Sequence, residues 1–350
     1  MRPQRTLIGV ASLLIVVACA GAMYQWLATR RELAATPMPG RLVDIGGHRL
    51  HVWCTGEGAP SVILESGLGG SSVDWGFVQP EIAKFTRVCS YDRAGMGYSQ
   101  TGPSPRTARQ IARELRQLLD SSGIREPAVL VGASLGGFTV RVFASEYGDR
   151  VAGLVLVDAS HEDQQHDTPA IAPIVPFLSS IGALRLVGVS FGLRPASLPP
   201  SVREFAEATQ FRAAGYRAAA DEIVHVRESA GEVRATRRKL NVPVVVVSAG
   251  RGADAEWLNL QRDQVSLSER GCQIIAEQSG HVVVIDQPQV VVDAVRSVVE
   301  NSRGQNRKES PCGSRVANAA VPPNGALASD RRYRTANTQR SEHEMMRRLR

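Results

Sequence analysis

The feature that most constrains this chain is the alternation of short, almost uninterrupted apolar runs with amphipathic segments. "SVILESG" at 61–67, "RVCSYD" at 87–92, "AVLVGA" at 128–133, "VAGLVLVDAS" at 151–160, "VPVVVVSAG" at 242–250 and "CQIIAEQSGH" at 272–281 read as strands. Between and after them, 71–85, 106–123, 135–149, 255–269 and 288–301 read as helices. "RLVDIGGHRLHVWC" at 41–54 alternates apolar and polar residues around Gly46-Gly47 and reads as a β-hairpin. Runs as apolar as Val244–Val247 need burial on both faces, which a parallel sheet between two helix layers supplies. The alternation is suspended from about 160 to 240, where prolines 169, 173, 176, 195, 199 and 200 precede helix-like sequence over about 201–239. That is too long for an ordinary loop and is expected to form a helical cap over the carboxyl ends of the strands.

The charge sits at one end. Residues 301–350 carry eleven Lys/Arg and four Asp/Glu, a net +7, and the other 300 residues hold thirty of each sign. The high pI therefore describes a tail without apolar periodicity, expected to be disordered, its arginines solvated or else in weak contact with an anionic lipid surface or nucleic acid; no specific nucleic-acid partner is expected. At the other end, Leu7–Leu27 is an almost unbroken apolar stretch, about 31 Å long as a helix and thus matched to a bilayer core. It reads as an uncleaved anchor with its amino end in the cytoplasm. The competing readings are a secretory signal cut near Ala20 and a lipoprotein-type box at "VVAC", 16–19. All three place the body outside the cytoplasm, where Cys54 and Cys89, on two expected strands, could form a disulfide rather than remain buried thiols.

Two stretches fit Gly-x-Ser-x-Gly: "GASLG" at 132–136 and "GVSFG" at 188–192. A nucleophile elbow needs a buried strand before it and a helix after it. Ser134 has both. Ser190 is followed by "FGLRPASLPP", whose prolines exclude a regular helix, so it reads as a loop coincidence. A serine nucleophile needs a base within hydrogen-bond reach. Of seven histidines, only His281, in "EQSGH", follows a late strand downstream of the serine.

Four stretches in order, "SGLGGSS", "YDRAGMGYS", "GASLGG" and "SGH", make residues 41–301 resemble the α/β-hydrolase family. The resemblance implies an α/β fold: an eight-stranded, mostly parallel sheet flanked by helices, with an inserted helical cap after strand six and a Ser–acid–His triad. Together with the two terminal segments read above, the expected organisation is membrane anchor or signal 1–40, core 41–160, cap 161–240, core 241–301 and a disordered basic tail 302–350. The resemblance also makes strands two and four neighbours, which supports a Cys54–Cys89 pair. Ser134 is then the nucleophile and His281 the base. The acid is Asp158, ending strand six, or Asp254, after strand seven, with Glu256 a distant third. Oxyanion donors are the backbone amides of Leu135 and Leu68, the latter in a loop with Ser66-Gly67 where many relatives have His-Gly.

Asp92 and Arg93 are expected to pair and brace the site. "SHEDQQHD" at 160–167 offers ligating side chains but no paired-histidine helix spacing and no cysteine pair, so it reads as a solvated polar loop, with no metal or other cofactor required. Phe177, Leu178, Ile181, Leu184, Phe191 and Leu193 are expected to roof an apolar pocket. The expected activity is a serine hydrolase acting on a small, partly apolar ester or amide through an acyl-enzyme. Alternatives are acyl transfer or cofactor-free haloperoxidase-type chemistry on the same triad, and a non-catalytic binding member of the fold. Oligomeric state leaves no mark on the sequence.

Overall fold

The computed structural model describes residues 2–190, 192–304 and 312. Eight strands form one sheet: β1 (Arg41–Asp44), β2 (Arg49–Thr55), β3 (Val62–Glu65), β4 (Val88–Tyr91), β5 (Ala128–Ala133), β6 (Val151–Val157), β7 (Val244–Ala249) and β8 (Gly271–Ala276). Their spatial order is β1-β2-β4-β3-β5-β6-β7-β8. β2 runs antiparallel to both its neighbours and every other pairing is parallel. The helices are α1 (Arg2–Ala35), α2 (Gln79–Ile82), α3 (Ala108–Ser121) and α4 (Gly136–Glu146), then α5 (Val175–Ser180), α6 (Ala183–Leu186), α7 (Pro200–Thr209), α8 (Ala213–Val224) and α9 (Val226–Thr236) in the cap, then α10 (Ala255–Val265), α11 (Val283–Asp286) and α12 (Pro288–Ser302).

The apolar runs divide by side-chain parity, as a two-faced strand must. Leu130, Leu154, Leu156, Val244 and Val246 pack on one side of the sheet with α3 and α4. Val129, Val131, Val155, Val245 and Val247 pack on the other with α2 and α12. All ten are buried, and each contributes about 1.5–3 kcal/mol of apolar burial.

Three expectations are corrected or extended. The helix expected over 71–85 is a 3₁₀ turn, Ser72–Trp75, followed by the single turn of α2. Pro80, in the first turn of α2, has no N–H to continue a helix arriving from residue 76. Cys54 and Cys89 face each other in the β2–β4 ladder and are disulfide-bonded. A second disulfide, not foreseen, joins Cys272 on β8 to Cys312. The rest of the expected tail, 305–311 and 313–350, lies outside the described residues, as does Phe191.

"SHEDQQHD" is not a solvated loop throughout. His161 and Glu162 are buried. Glu162 accepts both guanidinium nitrogens of Arg141 on α4 at 2.6 and 2.8 Å, plus Arg237 at 2.8 Å, and His161 Nε2 lies 2.9 Å from Asp263 on α10. Burial opposes ionisation of Glu162, but the Arg141 guanidinium, with help from a backbone amide and His161, wins and holds its pKa at about 2. The cap thus starts from an ion-pair anchor.

Candidate active site

β5 delivers Ser134 to a turn that few sequences could make. Ser134 has φ +49°, and Asp158 at the end of the adjacent β6 has φ +41°; among the described residues they are the two non-glycine positions with positive φ. Such backbone is costly for an L residue and persists where surrounding structure enforces it. Here the enforcement is close approach. A Cβ on Gly132 would sit 2.6 Å from Val140 Cγ2, and one on Gly136 would sit 2.5 Å from the Ser66 carbonyl oxygen. The small residues around Ser134 let β5, α4 and the loop after β3 meet at one point.

Ser134 Oγ is 3.0 Å from His281 Nε2, and His281 Nδ1 is 2.6 Å from Asp158 Oδ2. The other carboxylate oxygen of the buried Asp158 accepts the Ala249 amide and the Trp257 indole N–H, both at 2.9 Å. With the carboxylate held on both oxygens, Nδ1 of a neutral imidazole is the protonated nitrogen. The lone pair on Nε2 then faces the serine hydroxyl. Asp254, the rival acid, is elsewhere: its side chain caps α10 by accepting the Trp257 amide at 2.8 Å. It touches the site only through Trp257, whose ring donates to Asp158. Glu256 lies in the first turn of α10.

A cavity of about 840 Å³ opens on this group, lined by Ser66, Leu68, Asp74, Ser134, Val187 and His281 among others. Neither the Leu68 nor the Leu135 amide donates a hydrogen bond among the described residues. The loop bearing Leu68 is braced without a histidine. Ser66 Oγ donates to the Ser71 carbonyl at 2.8 Å and accepts Trp75 Nε1–H at 2.9 Å. Arg93 donates to the Ser66 and Gly67 carbonyls, both at 2.6 Å.

The expected Asp92–Arg93 pair does not form. Arg93 is buried between Glu65 at 2.5 Å and Glu222 of α8 at 2.7 Å, tying core, loop and cap together. Burial pushes the Glu65 carboxyl above the usual range, against the pull of Arg93. Asp92 turns the other way, to His51 Nδ1 at 2.8 Å and the amides of Ser72 and Tyr98 at 2.7 and 2.8 Å. These partners outweigh its burial and hold its pKa at about 2.

The pocket roof differs from expectation. Val187, Val189, Ser190, Gly192 and Leu193 line it. Leu184 and Leu178 instead pack in the cap's own core with Val175 and Tyr216, Phe177 is exposed, and the Ile181 backbone abuts α1. Ser190, in a loop as expected, nonetheless faces the cavity. Asp74 was missed by the sequence reading. It lines the cavity, its carboxyl accepts the Ser71 amide at 3.1 Å, and burial pushes its pKa to about 7.

The α/β-hydrolase fold model matches residues 60–179, the stretch that holds Ser66, Ser134 and Asp158. The chain has the α/β-hydrolase fold. Its relatives include a Hormonema carpetanum protein named "Probable transporter efuK", 26% identical over 323 residues, which are 81% of this chain and 46% of that protein. The chain therefore spans less than half of that relative. Another is the uncharacterized protein YqjL of Bacillus subtilis, 26% identical over 248 residues, 69% of this chain and 85% of YqjL. Among solved structures, the enol-lactonase from Burkholderia xenovorans LB400 superposes with a TM-score of 0.57 at 20% identity, over 74% of this chain and 99% of the lactonase. At that identity the likeness speaks to fold.

Proposed function

We propose that this α/β-hydrolase is a serine hydrolase that cleaves a small, partly apolar ester-type substrate through an acyl-enzyme. The observation that carries this reading is the unbroken hydrogen-bond chain Asp158–His281–Ser134 at the floor of the cavity. Ser134 Oγ attacks the carbonyl carbon as His281 Nε2 takes its proton. The oxyanion so formed accepts the Leu68 and Leu135 amides, and the imidazolium is stabilised by Asp158. His281 then protonates the departing alkoxide, leaving the acyl group on Ser134. Water enters, gives a proton to His281 Nε2 and bonds to the acyl carbon; the bond to Ser134 Oγ then breaks, His281 returns the proton to that oxygen, and the acid leaves.

The body is placed outside the cytoplasm, with α1 as anchor. The length and apolarity of α1 support this, and two disulfides suit an oxidising compartment. The test is a series of p-nitrophenyl esters of rising acyl length. Turnover is expected, and Ser134→Ala is expected to lower kcat by at least about 10³-fold. A Ser134→Ala variant that retains the wild-type rate refutes the reading.

A further inference from the structure

The anchor and the cap are one structural unit, and their geometry bears on where substrate enters. α1 carries two kinds of surface. From residue 6 to 20 nearly every side chain is exposed, and most are apolar: Leu7, Leu13, Leu14, Ile15 and Val16 are bare. From residue 21 onward a stripe at helical spacing, Gly21, Gln25, Thr29 and Glu32, faces the cap. A Cβ on Gly21 would meet the Ile181 carbonyl oxygen at 2.3 Å, so the two backbones are in contact. Gln25, buried, donates to the Phe211 carbonyl at 2.6 Å and accepts from Arg185 at 2.9 Å. Arg185 also reaches Thr29 at 3.1 Å and Glu32 at 2.9 Å.

This docking fixes the cap's depth. The undocked part of α1, about 15 residues, is ~22 Å long, whereas a hydrocarbon core is about 30 Å thick. To cross, α1 needs about another 8 Å from its docked half. Met23 and Leu27, opposite the docked stripe, and Tyr24 and Trp26, flanking it, are exposed and suited to lipid and its interface. Whatever touches α1 at residues 21–25 then lies at the membrane boundary: the edge of the cap formed by α5 and α6, through Ile181 and Arg185, together with Phe211 after α7. The α5–α6 edge exposes Ile174, Phe177, Leu186 and Val187, the last two at 73% and 70%. Val187 also lines the catalytic cavity, so the cavity mouth and the apolar edge are continuous.

Resting on the serine-hydrolase reading for the chemistry, we propose that the α5–α6 edge of the cap is immersed in the phospholipid bilayer. The pocket mouth at Val187 then receives its substrate, a small ester whose apolar acyl chain partitions into lipid, from the lipid phase. The acyl chain passes along the bare apolar edge into the cavity while the ester carbonyl stops at Ser134. No stretch of water has to be crossed by the chain.

The test uses the full-length protein in phosphatidylcholine vesicles. Bimane is attached at Leu186→Cys or, as an aqueous control, at Asp149→Cys, both in a Cys19→Ser background because Cys19 is the free thiol among the described residues. Asp149 precedes β6, at the end of the sheet away from the site. Doxyl-labelled lipid is expected to quench the probe at 186 several-fold more than at 149, and aqueous iodide the reverse. Iodide quenching at 186 as complete as at 149 overturns the proposal.

A functional arm compares Leu186→Asp/Phe177→Asp with wild type. It should lower kcat/KM about tenfold for a long-chain p-nitrophenyl ester dissolved in the vesicles and leave p-nitrophenyl acetate turnover unchanged. Unchanged turnover of the vesicle-borne ester overturns lipid-phase entry. Fluorophosphonate labelling of Ser134 judges the hydrolase reading separately. Failure there leaves the depth result standing, and an aqueous residue 186 leaves the chemistry standing.

Discussion

At the residue scale, two aspartates that follow neighbouring strand ends have divergent tasks. Both were legible as candidates, and the sequence could not separate them, because the choice depends on which way each side chain turns. Asp158, with φ +41°, is turned toward His281; Asp254 turns back onto its own helix. Asp158→Asn is expected to lower kcat by about 10³- to 10⁴-fold by presenting His281 with the wrong partner for its tautomer. Asp254→Ala is expected to cost about 1 kcal/mol of stability as a lost cap, with a much smaller loss of kcat. Steady-state kinetics and denaturation of the two variants check this, and a larger kcat loss in the Asp254 variant reverses the assignment.

Asp74 has a separate signature. Its folded pKa of about 7 lies above the ordinary 3.8. The folded chain therefore holds a proton that the unfolded chain has released, and stability falls as pH rises through that window. Asp74→Asn removes this dependence. Its melting temperature relative to wild type is expected to be higher at pH 8 than at pH 5, as thermal denaturation at the two values would show.

At the element scale, the strands and their succession along the chain were legible because Val- and Leu-rich runs admit little else. The neighbouring of β2 and β4 came only from the family resemblance. The elbow was legible because a strand, a serine flanked by glycines two residues away on either side and a helix stood in a row. Failures came where one sequence had several places to bury the same side chain. The apolar residues of 174–193 could face the cavity, the cap's own core or α1, and periodicity does not distinguish these. Asp92 and Arg93 were paired by adjacency, yet consecutive residues leaving a strand end point to opposite sides, one to His51 and the other to Glu65 and Glu222.

The Cys54–Cys89 bond belongs to this scale too. It ties the antiparallel β2 to β4 across a separation of 35 residues. Replacing both cysteines with serine is expected to remove about 2–4 kcal/mol of stability, measured by urea denaturation.

At the scale of the whole molecule, one buried guanidinium links three parts that the proposed chemistry needs in register. Arg93 holds the carbonyls of the loop bearing Leu68, pairs with Glu65 at the end of β3, and reaches Glu222 on the cap. The docking of α1 on the cap extends that chain of contacts to the anchor. None of this was legible in one dimension, since the partners of Arg93 and Gln25 lie up to 129 and 186 residues away. On the proposed reading, every level serves a single reactive oxygen. The most direct test is peptide mass spectrometry after treatment of the folded protein with a fluorophosphonate. The account expects one adduct, on Ser134, absent from Ser134→Ala and strongly reduced in His281→Ala. An unmodified Ser134 in folded protein, or an adduct on Ser190 in the same cavity instead, contradicts it.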